Sequence, residues 1–227
     1  MIDAPPPPAS GRERDATLPR YSSRERINHW LLALAFFCAA LSGLALFHPA
    51  LFWLGALFGG GPWTRILHPF LGLLMMILFV ILALAVHSDN SMRPRDWAWL
   101  RQIADVVQAR EDRLPEVGRY NAGQKLFFWA VATCLAVLLV SGIPIWRVYF
   151  SAGFSIALQR WGALLHALFA FLLISTLIIH IYAGIWVKGS IRGMTRGTVT
   201  PGWAWKHHRA WYRELISDAA RSRPRPD

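Results

Sequence analysis

The chain has 227 residues, 55% of them hydrophobic and only 16% charged, which is too apolar for an ordinary soluble domain of this length. A net charge of +11 would suit a nucleic-acid binder, but the basic residues gather in a few segments between long uncharged stretches, which argues against that reading. Two cysteines, Cys38 and Cys134, are too few for an iron–sulfur cluster, and no C-x-x-C-H motif is present to attach a haem covalently.

Taken in chain order, residues 1–20 (MIDAPPPPASGRERDATLPR) are polar and Pro-rich. They read as a disordered arm rather than a signal peptide. Four stretches then carry no charge: Ile27 to Thr64, Ile66 to His87, Leu126 to Trp146 and Trp161 to Val187. A hydrocarbon core about 30 Å thick takes roughly 20 helical residues. The pattern therefore predicts an all-α membrane domain over 21–214, with spans near 28–48, 66–87, 125–146 and 161–187. Between the first two spans, HPALFWLGALFGGGPWTR is apolar and Gly-rich, suited to the membrane interface or to a partner surface. Between the second and third, Trp97, Leu100, Ile103, Ala104 and Val107 recur at helical spacing, which predicts an amphipathic surface helix near 95–110. After the fourth span, Trp203, Trp205, Trp211 and Tyr212 alternate with basic residues, the composition of an interfacial anchor, and 215–227 form a basic tail.

The arm before span 1, the segment between spans 2 and 3 and the C-terminal tail carry nearly all the Lys and Arg. The other two connections hold only Arg65, then Arg147 and Arg160. The positive-inside rule puts the basic side, with both termini, in the cytoplasm.

Histidines break the apolar pattern. His166 and His180 lie fourteen residues apart in span 4. Fourteen residues fall about 40° short of four turns and rise about 21 Å, so both lie near one face at two depths. His29 begins span 1 on the inner side and His68 begins span 2 on the outer side. The depths pair His29 with His180 and His68 with His166. Two facing imidazoles can clamp a haem iron and leave no open position for oxygen, which makes an electron carrier. Zinc would want four close ligands, whereas these pairs lie about 20 Å apart. Gly43, Gly72, Gly142, Gly162 and Gly184 accompany the histidines, suited to porphyrin clearance or to plain helix packing. His48 and His87 sit at span ends and read as interfacial; His207 and His208 fall in the tail.

The motifs RINHW, RILHPF, GRYNAGQK, SGIPIWR, LLHA, LIIHIYAGIWVKGSIRGM and KHHRAWYRE resemble the cytochrome b (gamma) subunit of respiratory formate dehydrogenase, from about Tyr21 to Glu214. The resemblance implies a four-helix protein of the bacterial inner membrane with two non-covalent b haems. The outer haem is then held by His68 and His166, the inner by His29 and His180. It also implies quinone binding at Asn121, Gly123 and Gln124, with menaquinone or ubiquinone as substrate; read alone, Asn121 would be a helix N-cap. The implied partners are an iron–sulfur (beta) subunit and a molybdenum- or tungsten-pterin catalytic (alpha) subunit that oxidises formate, together with membrane lipid and no nucleic acid. Electrons would pass from the outer haem to the inner and on to quinone. By side alone, Lys125, Asp89 and His87 are candidates for proton uptake. Two other readings stay open: the di-haem subunit of another quinone-linked complex, such as a hydrogenase or thiosulfate reductase, and a membrane anchor whose histidines relay protons without haem.

Overall fold

The computed structural model describes residues 17–108, 110 and 114–221. Most of the expected N-terminal arm, 222–227 of the expected tail, and 109 and 111–113 of the inner segment lie outside that range.

A two-residue strand β1 (Leu18–Pro19) precedes helix α1 (Ser23–Phe47). A 3-10 helix over Pro49–Phe58 leads into α2 (Gly61–Val86), followed by short α3 (Pro94–Arg101) and α4 (Ile103–Val107). Then come α5 (Ala122–Gly142), α6 (Ile156–Trp186), α7 (Ser190–Arg196), β2 (Thr198–Val199), α8 (Pro201–His207) and α9 (Arg209–Arg221). Among the described residues the regular structure is helical apart from the antiparallel pairing of Leu18 with Val199 and Pro19 with Thr198.

Helices α1, α2, α5 and α6 are long and apolar enough to cross a membrane. Their large side chains stay exposed: Leu84 is 70% exposed and Phe171 67%, which suits lipid and not water. Each span starts a few residues before its expected position, because polar or Gly-rich residues ahead of the apolar stretch join the helix. The α2 start lies at Gly61, behind two left-handed glycines, Gly59 (φ 84°) and Gly60 (φ 93°), with Pro62 in the first turn where its missing N–H costs nothing. His68 is therefore inside α2 rather than at its beginning, followed by a helix-internal Pro69. Likewise His29 sits well inside α1. Upstream of α6, the Ser155 hydroxyl accepts from the Leu158 amide at 3.3 Å. At its far end α5 tightens into a 3-10 turn over Ile143–Ile145, where Pro144 cannot continue an α-helix.

The described residues form two compact units. One comprises 24–86 and 127–183, the bulk of the four spans. Its core is Ala35 and Ala39 of α1, Met75 and Phe79 of α2, Val131, Cys134 and Leu135 of α5, and Leu173 of α6. Leu173 is seven residues from both His166 and His180, so this apolar layer lies midway between the two histidine levels.

The other unit joins 17–23, 87–126 and 184–221. Its centre is Arg20, only 4% exposed, with its guanidinium 4.5 Å from the Trp211 ring centre and 5.5–5.6 Å from those of Tyr21, Tyr120 and Trp203. Arg20 Nη2 donates to the Arg119 carbonyl, and Arg119 donates back to the Arg20 carbonyl at 3.2 Å. The C-terminal aromatics thus depart from the expected anchor. Trp211 and Ala204 pack with Val199 in a small core, because a buried cation draws aromatic faces around itself. His208 is buried there and donates from Nδ1 to the Gly118 carbonyl at 2.8 Å. Burial, with the Arg20 charge nearby, pulls its pKa down to about 3. The expected surface helix is broken at Gln102 into α3 and α4. Trp99 and Asp96 are its buried residues, while Trp97, Ile103 and Val107 are exposed.

Candidate functional site

The four histidines meet in two pairs inside the four-span unit. His29 and His180 have ring centres 6.4 Å apart; those of His68 and His166 are 6.1 Å apart. Two imidazoles bound to one metal through a single nitrogen each, at a bond of about 2.0 Å, would have ring centres roughly 6.3 Å apart. The spacing therefore fits one iron between each pair. Among the described residues, no three His, Cys, Asp or Glu side chains gather as a metal cluster. A porphyrin would bring its own four nitrogens, so two side chains per site suffice.

The surroundings of the pairs differ. Ser42 Oγ lies 3.0 Å from His68 Nδ1, and Ser141 Oγ lies 3.2 Å from His166 Nδ1. Each serine sits one position before a glycine. A Cβ on Gly43 would stand 3.0 Å from His68 Cε1, and one on Gly142 would stand 3.4 Å from His166 Cε1. These two glycines make room for imidazole rings. Gly162 has a different role: a Cβ there would meet Pro144 at 2.9 Å and the Ser141 carbonyl at 3.1 Å, which is helix packing. Gly72 and Gly184 face open space. In the other pair, His29 Nδ1 is buried without a hydrogen-bond partner among the described residues, and Phe127 stacks on His180 with ring centres 4.2 Å apart and planes at 12°. Asn28, next to His29, ties α1 to α2 through a 2.8 Å bond from Nδ2 to the Leu78 carbonyl.

Asn121, Gly123 and Gln124 lie at the start of α5. Asn121 Oδ1 accepts from the Gln124 amide at 2.8 Å, and Gln124 Oε1 accepts from the Asn121 amide at 2.9 Å. This is a reciprocal capping box. Because both backbone partners are donors, the two side-chain oxygens are committed to the cap. The two side-chain NH₂ groups stay available to an acceptor such as a quinone carbonyl. A Cβ on Gly123 would lie 3.4 Å from both Asn121 Oδ1 and the Trp99 ring, so a larger residue would press on the cap. Lys125 turns away into a buried ion pair with Asp96 at 2.7 Å and donates to the Ser91 carbonyl at 3.0 Å. Asp89 pairs with Arg119 at 3.1 Å, and His87 is exposed. His48 caps the 3-10 helix, its Nδ1 accepting from the Ala50 amide at 3.1 Å.

Residues 20–197 match the family described as prokaryotic cytochrome b561. The chain belongs to that family. It is 44% identical over 203 residues to the formate dehydrogenase cytochrome b556(fdo) subunit of Escherichia coli K12, covering 89% of this chain and 95% of the relative. The formate dehydrogenase cytochrome b556 subunit of Haemophilus influenzae is 42% identical over 202 residues, 89% of this chain and 85% of the relative. The nitrate-inducible formate dehydrogenase cytochrome b556(Fdn) subunit of Escherichia coli K12 is 41% identical over 191 residues, 84% of this chain and 88% of the relative. This cytochrome b561 is thus a four-span membrane protein similar to formate dehydrogenase cytochrome b subunits over most of its length.

Sequence reasoning found the four histidines and missed Ser42 and Ser141. The signal was present as a Ser-Gly dipeptide in span 1 and again in span 3. A serine in a membrane helix is common, however, and its contact lies on another helix. Arg20, expected in a disordered arm, instead anchors a core.

Proposed function

We propose that this cytochrome b561 is the membrane-anchoring, di-haem subunit of a formate dehydrogenase, taking electrons from an iron–sulfur partner and delivering them to quinone. The observation that carries the proposal is the pair of histidine clamps, with ring centres 6.1 and 6.4 Å apart, set fourteen residues apart along α6. His68 and His166 would hold the outer haem b, and His29 and His180 the inner. When bound, haem b would supply one-electron exchange, and histidine pairs holding its iron would leave no position for oxygen. The family membership supports the haem, and the names of the relatives support formate as the donor of the complex. The iron–sulfur subunit and a molybdenum- or tungsten-pterin subunit are the corresponding partners. The asymmetry of basic residues supports a cytoplasmic location for both termini.

At the start of α5, the NH₂ groups of Asn121 and Gln124 would donate to a quinone carbonyl, and Gly123, whose missing side chain lets Trp99 and the cap close together, would complete the site. Quinone, menaquinone or ubiquinone, takes up two electrons and two protons there and leaves as quinol. Proton uptake on the cytoplasmic side would charge the membrane without a proton channel, each charge moved through 100 mV being worth about 2.3 kcal/mol.

The test starts from the complex purified from its own membranes. Formate should reduce it and produce a b-type α band. Reduction by hydrogen but not by formate would transfer the subunit to a hydrogenase. Absence of any α band would leave the anchor or proton-relay reading. Asn121→Asp and Gln124→Glu then separate capping from quinone binding, since each keeps the capping oxygen and removes the NH₂ donor. Both variants should retain both haems and reduce quinone slowly; wild-type quinone reduction would refute the assignment.

A further inference from the structure

The two serines beside the His68–His166 pair are built alike. Ser42 Oγ lies 2.7 Å from the Cys38 carbonyl, and Ser141 Oγ lies 2.6 Å from the Val137 carbonyl, each four residues back in its own helix. A hydroxyl has one proton, and in both helices that proton has a carbonyl to go to. What remains toward the imidazole is an oxygen lone pair. His68 and His166 must then carry their proton on Nδ1 and direct it to the serine oxygen and to the adjacent Ala39 and Leu138 carbonyls. The Nε2 lone pair is left free in each ring, and it is the atom a metal needs. The adjoining Gly43 and Gly142 admit Cε1 of the same two rings, at 3.0 and 3.4 Å from where a Cβ would be. The Ser-Gly dipeptide is thus a mount: the serine, with the Ala39 or Leu138 carbonyl beside it, fixes the tautomer and the glycine lets the ring come close. It occurs once on α1 for His68 and once on α5 for His166. His29 has no such mount, because its buried Nδ1 has no hydrogen-bond partner among the described residues.

We propose that Ser42 and Ser141 are positioning residues that hold both ligands of the outer haem as Nδ1–H tautomers and lower that haem's reduction potential relative to a site without them. The proposal rests on the bis-histidine reading above. An imidazole that donates from its far nitrogen becomes a more basic ligand, and a more basic ligand favours ferric iron. With serine at both ligands, the effect acts twice on one haem. The inner haem has no serine on His29, so the mount biases electrons from outer to inner.

An equilibrium redox titration of the α band tests this, on the purified complex in detergent, with wild type, Ser42→Ala, Ser141→Ala, the double variant and Ser141→Thr. The outer component is identified as the one missing in His166→Ala. Each alanine variant should shift the outer midpoint upward, and the double variant should shift it further. The inner midpoint should stay, and Ser141→Thr, which keeps a hydroxyl, should titrate near wild type. Retention of both haems with unmoved midpoints overturns the proposal, as does an equal shift of both components. Should an alanine variant lose the outer haem, retention in Ser141→Thr supports the hydroxyl's hold. Loss in Ser141→Thr as well shows that side-chain volume matters, and overturns the proposal. A wild-type complex with no haem would instead refute the bis-histidine reading beneath it.

Discussion

Asp96→Leu would leave the Lys125 ammonium in a site where both side chains are only 3% exposed. The pair is joined at 2.7 Å, with the Ser91 carbonyl as a second acceptor for Nζ. Removing one member of a buried ion pair costs about 3–5 kcal/mol, mostly from the charge left behind. Asp96 Oδ2 also accepts from the Arg93 amide at 2.7 Å, and losing that cap adds about 1 kcal/mol. Lys125→Met should cost less, because the Arg93 amide still holds the remaining carboxylate. The double variant buries no charge and should recover most of the loss, leaving roughly the cap term. For chains of this length about 1 kcal/mol corresponds to roughly 2–4 °C, so Asp96→Leu should lower the midpoint by about 8–24 °C. Thermal unfolding of the detergent-solubilised protein, followed by circular dichroism, measures all four states. Additive losses in the double variant, with no coupling between the sites, would refute the pair as a buried, mutually dependent unit.

Gly43→Ala places a methyl 3.0 Å from His68 Cε1, so the ring must shift by a few tenths of an ångström. Under the proposed di-haem function it should weaken or remove one haem component in the reduced-minus-oxidised spectrum and leave the other. Gly162→Ala, which meets Pro144 and a carbonyl instead, should cost stability while sparing both spectra. His208 is held neutral, its pKa lowered to about 3 against an unfolded value of 6.5. The unfolded state therefore binds the extra proton first, and the stability this group supports is complete above pH 6.5 and lost as pH falls toward 3. The slope is about 1.4 kcal/mol per pH unit, and His208→Gln should flatten it in a pH series of unfolding midpoints.

The spans were legible because apolar residues fill every face of four helices, a pattern water-soluble packing does not produce. The histidine pairs were legible because fourteen residues nearly close four turns, which fixes relative depth and face without tertiary information. Helix starts were less legible. Ser23, Gly61 and Ser155 lie in polar or Gly-rich sequence that a hydropathy window discards, although Pro62 was a local sign of a first turn. Composition could not separate an interfacial anchor from a cation–π core, since Trp, Tyr and Arg serve both. Only the position of Arg20 decides between them. The capping role of Asn121 was legible from its place before helix α5, whereas which of its side-chain atoms the cap consumes depends on the reciprocal bond with Gln124.

The layer of Ala35, Ala39, Met75, Phe79, Val131, Cys134, Leu135 and Leu173 between the two histidine levels has a consequence for leakage. A proton crosses a protein only along water or a chain of hydrogen-bonding groups, and this layer offers packed hydrocarbon, the Met75 thioether and a single thiol. An electron needs no such chain, because it tunnels through closely packed atoms. Under the proposed di-haem function, the same side chains would therefore act as a conductor for one carrier and as an insulator for the other. Small residues on α1 keep the layer tight, and tightness serves both ends at once. A cavity opened there, by Phe79→Ala for example, would lengthen the path for electrons and admit water for protons. Coupling between oxidation and voltage would then fail by short circuit before either histidine pair was touched.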